Sequence, residues 1–365
     1  MEGLKVCMQA VAALTAIGVG ITALLLLAAR FLCRYKRCHV RINGKDAFDV
    51  DGGGKLLDAL YDHQIFIPSA CGGQGTCGFC KVCVKSGGGP LLPTEEPFMS
   101  ADELAAGTRL ACQVKLREDI ELEVKPEYLS VRQVEATLGS ATMVAEDIRE
   151  VHFTLPEGCE LPFVPGQYVQ VRVPHRKETV FRAYSLASTP SARGEIELLV
   201  RRIPEGIGSG YIHQLQPGDP VTFTGPYGDF KLDESSDRAL VCVGGGVGMA
   251  PMRSLLRHLA EVNPDKECWL FFGARTEEQL LYRAEFERMA QEHPQFHLHF
   301  ALSEPEKCPD WKGETGFIHQ SVERHLPAGT ACQAFLCGPP KMLEAARRTL
   351  QGKGLDNHDI FADEF

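Results

Sequence analysis

Positive charge is scarce in this chain. Its 38 Lys and Arg are outnumbered by 48 Asp and Glu, leaving a formal net charge of −10. That excludes the basic footprint of a nucleic-acid binder. Low-complexity tracts and collagen-type repeats are absent too, and 44% hydrophobic with 24% charged residues is the balance of a globular chain. Only one long apolar run exists, so at most one helix spans a membrane. No acid interrupts that run, so it offers no ion path of its own. The length, 365 residues, predicts two to four domains at roughly 100–200 residues each.

The apolar run covers 6–29, where no residue is charged. Spanning ~30 Å of hydrocarbon takes about 20 helical residues, so the run is long enough. Arg30, Arg34, Lys36, Arg37 and Arg41 follow it, and only Lys5 precedes it. The positive-inside rule therefore predicts a single-pass anchor with the rest of the chain in the cytoplasm. A cleaved signal peptide fits less well: its apolar region is typically about 7–15 residues, and its basic residues come first. Cys33 and Cys38 are candidates for acylation, but nothing in the sequence requires it.

Fourteen cysteines are present, and five of them fall between Cys71 and Cys112. Such bunching points to a metal site in a reducing compartment rather than to disulfides. Cys159, Cys242, Cys268, Cys308 and Cys332 read as small buried hydrophobes or inert thiols. Around the bunch, a small domain is expected over 38–126. It has a strand and turn at 39–44 and a short helix over 55–63, with Leu56, Leu57 and Leu60 at helical spacing. The loop Cys71-Gly72-Gly73-Gln74-Gly75-Thr76-Cys77-Gly78-Phe79-Cys80 has the spacing C-x5-C-x2-C, and Cys112 follows in Arg109-Leu110-Ala111-Cys112-Gln113-Val114. A [2Fe–2S] centre needs four thiolates, two on each iron. The glycines let the backbone wrap closely and aim N–H groups at the sulfides. Structural zinc prefers two paired C-x2-C knuckles, whereas the last cysteine here is single. Cys71, Cys77, Cys80 and Cys112 are thus the expected ligands, and Cys83, on a strand over 81–85, is read as a core or edge residue. The loop resembles that of plant-type [2Fe–2S] ferredoxins, with one extra residue in the first gap.

The middle, 130–233, reads as an antiparallel β-barrel. Apolar strands at 169–173, 196–200 and 221–224 alternate with turn signals such as Pro165-Gly166 and Pro226-Tyr227-Gly228. Arg182-Ala183-Tyr184-Ser185 offers a phosphate partner, an aromatic face and a hydroxyl. On composition alone this is an aromatic-polar strand. It resembles, however, the flavin fingerprint of the ferredoxin–NADP+ reductase superfamily. Gly206-Ile207-Gly208-Ser209 resembles that superfamily's pyrophosphate-holding element. The resemblance implies FAD on Arg182, Ala183, Tyr184, Ser185, Gly206 and Ser209, with Ser185 near the hydride-accepting flavin N5.

The last part, 234–365, alternates strands and helices and predicts a parallel doubly wound α/β sheet. Strands are expected at 238–243, 268–272, 296–301 and 334–337. Helices are expected after 250, with Met252, Leu255, Leu256 and Leu259 on one face, and over 280–291. Gly244-Gly245-Gly246-Val247-Gly248-Met249-Ala250-Pro251 suits a pyrophosphate at a helix N-terminus. Cys337-Gly338-Pro339-Pro340 resembles the superfamily's other nicotinamide landmark, which implies that Cys337 lies beside the nicotinamide with Gly338 and Pro339 binding it. Cys337 as a buried strand end is the alternative. Arg275 stands alone beside Glu277 and Glu278, which favours NADH over the 2′-phosphate of NADPH. A C-terminal aromatic in this superfamily can shield the flavin, and Phe365 is the candidate; a frayed terminus is the alternative.

The succession of anchor, β-grasp-like [2Fe–2S] domain, FAD barrel and NAD domain is more specific than any single motif. It resembles the F subunits of Na+-translocating NADH:quinone reductases across nearly the whole chain. Gly248-Met249-Ala250-Pro251-Met252-Arg253-Ser254 and Thr315-Gly316-Phe317-Ile318-His319 look particularly close. The resemblance implies electron flow from NADH through FAD and the cluster to membrane subunits and quinone, at a bacterial inner membrane. One departure is notable. That family usually carries a long insertion in the flavin domain, where here only 174–181 connect two expected strands. Soluble oxygenase reductases share the three domains but normally lack the anchor, so delivery to an oxygenase is the alternative. Intact cysteines, flavin residues and glycine turn argue against a non-catalytic scaffold.

Overall fold

A computed structural model describes residues 2–32, 35–175 and 178–364. Phe365 and Cys33 lie outside the described residues. The chain divides into two units, 1–67 with 73–130 and 68–72 with 131–365.

The first unit begins with α1 (Glu2–Leu32). Its 18-residue core, Val11–Ala28, has a mean hydropathy of 2.4 and no buried part. Thr15 and Thr22 donate their hydroxyls to the carbonyls of Val11 and Gly18, both at 2.8 Å, so the run leaves no hydroxyl proton unbonded. Thirty-one residues extend about 46 Å at 1.5 Å each, more than a ~30 Å hydrocarbon layer. The soluble part starts soon afterwards, at β1 (Arg37–Ile42). Tyr35 and Lys36 are already tied to it: the Gly52 N–H donates to the Lys36 carbonyl at 3.1 Å, and Lys115 Nζ sits 5.0 Å from the Tyr35 ring centre.

β1 turns through Asn43 and Gly44, both at positive φ, into β2 (Lys45–Asp51). Then come α2 (Leu56–Asp62), β3 (Lys81–Ser86), α3 (Ala101–Ala105), β4 (Thr108–Leu110) and β5 (Ile120–Glu123). The sheet order is β2-β1-β5-β3-β4. Only β1 and β5 run parallel, and the other pairs are antiparallel. This is the β-grasp-like arrangement expected of a ferredoxin. Its core is Val40, Leu56, Leu60, Ile67, Leu110, Leu116 and Leu122, all fully buried. The expected strand at 39–44 and helix over 55–63 are present, and β2 is mostly exposed, with only Phe48 and Val50 half-buried.

The second unit holds the barrel and the nucleotide sheet. The barrel strands are β6 (Arg132–Ala145), β7 (Ile148–Thr154), β8 (Tyr168–His175), β9 (Glu178–Ser185), β10 (Glu195–Arg201) and β11 (Pro220–Tyr227), with α4 (Ile207–Gln214) between the last two. Their order is β10-β7-β6-β11-β8-β9, antiparallel throughout, and a bridge from Leu186 to Leu198 joins the two ends. Phe153 and Phe223 meet edge to face in the core, 4.9 Å apart. One expectation is corrected here. The connection between β8 and β9 is not the 174–181 loop, because Pro174 pairs with Thr179 and His175 with Glu178. The two strands form a tight hairpin.

The nucleotide sheet contains β12 (Ala239–Gly245), β13 (Cys268–Ala274), β14 (Phe296–Leu302), β15 (Glu314–Thr315), β16 (Cys332–Gly338) and β17 (Ile360–Glu364). All pairs are parallel, in the order β15-β14-β13-β12-β16-β17. α5 (Met249–Val262) and α6 (Arg283–Glu292) pack one face, and α7 (Ile318–His325) and α8 (Pro340–Gly352) the other. Every residue of β12 is buried, as a strand covered on both faces must be. Met252, Leu255, Leu256 and Leu259 are all buried on α5, as their spacing predicts. The helix expected over 280–291 begins only at Arg283, because Tyr282 takes the left-handed conformation, φ 55°. The last described strand, β17, pairs with β16 through Glu364.

Deleting residues 2–32 should move the protein from the membrane pellet to the soluble fraction after cell lysis. Sedimentation followed by immunoblotting reads this out. Persistent membrane association would show that α1 is not the anchor.

Candidate functional site

The cysteine loop is shaped by glycines 72, 73, 75 and 78, all with φ between 67° and 80°. A side chain would also collide there: a Cβ on Gly75 would lie 2.4 Å from Gln113 Nε2, and one on Gly78 2.7 Å from the Phe98 ring. Strand pairing sets the rest. Lys81 opposes Leu110, and the Ala111 N–H donates to the Cys80 carbonyl at 2.8 Å. This brings the thiols of Cys80 and Cys112 together, each 1% exposed. A hydrogen bond to Cys112, burial and the nearby Cys77 push the Cys80 thiol up. Crowded thiols that resist ionising one by one fit a shared metal centre, which binds them as thiolates. Cys71, half-buried, opens the loop on the 68–72 stretch that groups with the second unit. Cys83 donates its S–H to the Ala106 carbonyl at 2.8 Å, the bland role expected of it.

Two supports of the loop have no signature in the sequence. Gln113 Nε2 lies 3.8 Å from Cys112 Sγ and can donate to it. Arg109 and Glu95 form a buried ion pair at 2.7 Å, with side chains 8% and 0% exposed. Arg109 also donates to the carbonyls of Gly88, Gly89 and Pro90, each at 2.9 Å, and Glu95 accepts the Leu110 N–H at 2.9 Å. Burial raises the Glu95 carboxyl, but Arg109 and the N–H groups of Leu92 and Leu110 more than offset it and hold it low. The pair fastens the 88–95 loop to β4, two residues before Cys112. Glu95 sits beside Glu96 in the sequence, and nothing local separates a buried acid from a solvated one.

On β9, Arg182, Ala183, Tyr184 and Ser185 are all half-buried. The N-terminus of α4 rests against them. A Cβ on Gly208 would lie 2.7 Å from Arg182 Cγ and 2.8 Å from the Tyr184 hydroxyl. The Arg182 stem thus packs on the start of α4, while its guanidinium donates to the Phe181 carbonyl at 2.9 Å; a helix N-terminus and an arginine on neighbouring elements suit a pyrophosphate. Gly206 caps α4. The Ser209 hydroxyl is engaged by its own turn: it accepts the Ile203 N–H at 3.1 Å and points at the Gly206 carbonyl at 3.4 Å. Burial raises the Tyr184 pKa, so its hydroxyl stays neutral and able to donate. Ser185 Oγ lies 3.4 Å from Asp363 on β17.

The nucleotide cleft opens at the carboxyl ends of β12, β13 and β16. Its volume is about 510 Å³, and Gly245, Gly246, Gly273, Phe317, Pro339 and Met342 are among its walls. Gly246 has φ 58°, and a Cβ there would lie 2.7 Å from Arg201 Nη2. Gly248 and Met249 begin the helical rise, and Pro251 is the third residue of α5. Cys337 lies opposite Gly244 in register and is 2% exposed. Burial, with Asp363 adding to it, raises its thiol well above the usual range, so it is uncharged. Arg275 is not the lone cation expected: Arg201 and Lys341 line the same cleft, although Asp147 engages Arg201 at 3.1 Å.

Barrel and sheet meet at a polar junction that Arg253 and Arg257 share. Arg253 on α5 reaches Glu150 on β7 at 3.2 Å, Glu197 on β10, and Glu285 on α6 at 2.9 Å. Its plane lies 3.8 Å from the centre of the Tyr282 ring, and the Tyr282 hydroxyl donates to Glu150. Ser254 donates to the Ser188 carbonyl at 2.7 Å beside it. His152 links the same group, 2.8 Å from Glu150 and 2.6 Å from Glu195. The hydrogen bond to Glu150 raises the His152 pKa to about 9, and the hydrogen bond to His152 lowers Glu150 to about 2.

Comparison with known proteins agrees with this layout. Residues 40–117 match the 2Fe-2S iron-sulfur cluster binding domain, 135–232 the oxidoreductase FAD-binding domain and 242–348 the oxidoreductase NAD-binding domain. Curated F subunits of Na(+)-translocating NADH-quinone reductase are similar over nearly the whole chain. The one from Neisseria meningitidis is 38% identical, covering 89% of this chain and 91% of its own length. The one from Pseudomonas aeruginosa is 34% identical, covering 98% of each. Among solved structures, the Amycolatopsis cytochrome P450 reductase GcoB matches with a TM-score of 0.71 and 32% identity over 90% of this chain and 98% of its own. The ferredoxin reductase in carbazole 1,9a-dioxygenase matches at 0.68 and 26%, with the same coverage.

Replacing Arg109 with Met strands the Glu95 carboxylate and should cost about 3–5 kcal/mol. The thermal midpoint should fall and the visible absorption of the cluster should be lost, while Glu96→Ala leaves both unchanged. An Arg109→Met protein with wild-type cluster absorption would remove the pair from the account. The His152 group predicts a pH dependence. Its raised pKa means that its stabilisation is complete below the unfolded value of about 6.5 and fades as pH rises toward about 9. Glu150 adds stability above about 4.5 that fades as pH falls toward about 2. Calorimetry should show a midpoint that declines between pH 6.5 and 9, and His152→Gln should flatten that decline. An equal decline in the variant would assign it to other groups.

Proposed function

Because the chain belongs to the family of F subunits of the Na+-translocating NADH-quinone reductases, we propose that it is the NADH-oxidising, membrane-anchored electron-entry component of such a complex. The observation that carries this reading is the order of parts in one chain: an apolar helix, a [2Fe–2S] fold, a flavin barrel and a nicotinamide sheet. When bound, FAD and the [2Fe–2S] cluster supply the chemistry that turns a two-electron hydride into single electrons for quinone.

The residues divide the remaining work. Cys71, Cys77, Cys80 and Cys112 hold the cluster. Arg182 and the N-terminus of α4 hold the FAD pyrophosphate, with Gly206 and Gly208 leaving room and Ser209 fixing the turn. Tyr184 and Ser185 line the flavin ring, with Ala183 before them on the same strand. The turn of Gly244, Gly245, Gly246 and Gly248 takes the dinucleotide pyrophosphate, with Met249 and Pro251 setting the helix behind it. Gly338 and Pro339 form the opposite lip of the cleft. Cys337, an uncharged thiol, packs at the nicotinamide end, and Phe365 shields the flavin. No general base is needed, since a hydride carries its own electron pair. The cluster-binding part corresponds to 38–126, the FAD part to 130–233 and the NAD part to 234–365.

The anchor is one helix, 6–29, in a bacterial inner membrane, with the soluble parts in the cytoplasm and other membrane subunits as partners. Its apolar core has no acid, so Na+ movement belongs to those partners. A second reading, delivery to an oxygenase, is favoured by one observation. The tight β8–β9 hairpin replaces the insertion usual in the F subunits, and oxygenase-type reductases match the fold.

Native protein purified in detergent should bring down membrane subunits identifiable by mass spectrometry, with NADH:quinone activity stimulated by Na+. Co-purification of a soluble hydroxylase instead, without Na+ stimulation, would establish the second reading. Cys112→Ser should lose the paramagnetic signal of the reduced cluster yet keep NADH-dependent bleaching of the flavin. Loss of both would show that the two centres are not independently built.

A further inference from the structure

The outer edge of the nucleotide sheet carries a side-chain group that hydride transfer does not use. His299 on β14, Glu314 on β15 and His325 at the end of α7 each present one ligand atom, and the three atoms lie within 4.8 Å of one another. His299 Nδ1 and His325 Nε2 stand 3.2 Å and 3.1 Å from the same oxygen, Glu314 Oε1. The two imidazoles stack with centroids 4.1 Å apart. With bonds of about 2.0–2.2 Å, neighbouring ligand atoms around a tetrahedral Zn2+ stand roughly 3.3 Å apart. The observed spacing is already close to that.

The surroundings hold these groups in place. Arg324 Nη2 takes the other carboxylate oxygen, Glu314 Oε2, at 2.5 Å, which leaves Oε1 as a single inward ligand. Phe271 stacks on the His299 ring, centroids 5.0 Å apart, and limits its rotation. Side-chain exposures of 18%, 25% and 39% for His299, Glu314 and His325 leave the site open to water on one side. Two imidazoles and one carboxylate are a donor set suited to borderline-soft divalent ions.

We propose that His299, Glu314 and His325 bind a divalent transition-metal ion of the Zn2+ class, with water completing the coordination. Glu314 directly precedes Thr315-Gly316-Phe317-Ile318-His319, of which Gly316 through His319 line the nucleotide cleft, and α7 runs from that wall to His325. An ion there ties β14, β15 and both ends of this segment together. The site is independent of the electron acceptor.

The test uses the full chain in detergent, loaded with its cluster and titrated with Co2+ alone. Co2+ should give the d–d bands of a nitrogen–oxygen site without thiolate charge transfer, and Zn2+ should displace it one for one. Zn2+ should also raise the thermal midpoint. His325→Ala should abolish the Co2+ bands and the Zn2+-dependent shift while keeping the metal-free midpoint and the cluster spectrum. Glu314→Gln should weaken Co2+ binding at least tenfold. Bands absent from the wild type, retained in His325→Ala or accompanied by thiolate charge transfer would overturn the proposal, leaving the group an ion-pair network only.

Discussion

Transfer of a hydride between two rings requires that the rings be held in one geometry. Here that requirement falls on a polar junction centred on Arg253. Arg253 stands where the barrel, α5 and α6 meet, and its three carboxylate partners come from both halves of the second unit. It is 12% exposed, so its charge is met mainly by protein. Arg257, 3.4 Å from Glu197 and 3.7 Å from Glu285, and His152, 2.8 Å from Glu150, share its acids. The Tyr282 backbone bends into the left-handed region to bring its hydroxyl to the same cluster. The glycine turn after β12 and the strand β9 are each well formed locally. Their mutual position depends on this junction.

A second polar anchor plays the same part in the first unit. Arg109 and Glu95 are among the least exposed charges in that unit, and they fix the strand end that presents Cys112. Both junctions use arginine, whose flat fork can serve several acceptors at once. In both, the neighbouring functional residue does not touch the ion pair. The site is precise because its support is rigid.

What can be read from the sequence follows from range. Ligand chemistry is local, so Cys71, Cys77, Cys80 and the glycines between them announce a cluster loop. Helical periodicity is local as well, and the buried stripe of Met252, Leu255, Leu256 and Leu259 is legible. Where the cause is distant, the sequence is silent. Tyr282, at the start of α6, bonds Glu150, 132 residues away. Ser209 looks like a phosphate ligand, yet its hydroxyl answers to Ile203 in its own turn. The hairpin between β8 and β9 resembles a loop because Pro174 and the polar residues after it carry no apolar alternation, although Pro174 pairs with Thr179 and His175 with Glu178. Arg253 is visible as part of a resemblance, but its acids are not, since Glu150 and Glu197 have no local mark.

The brief passage from α1 to β1 has a mechanical consequence. Four positions lie between Leu32 and Arg37, and the last two are already fastened to the sheet. Fully stretched, four residues reach no more than about 14 Å. With α1 in a bilayer, the cluster-bearing sheet stays close to the membrane surface. Its search for an electron acceptor then becomes a search over an area, and its success depends on how many acceptors lie in that area of lipid, not on their number per volume of cytoplasm.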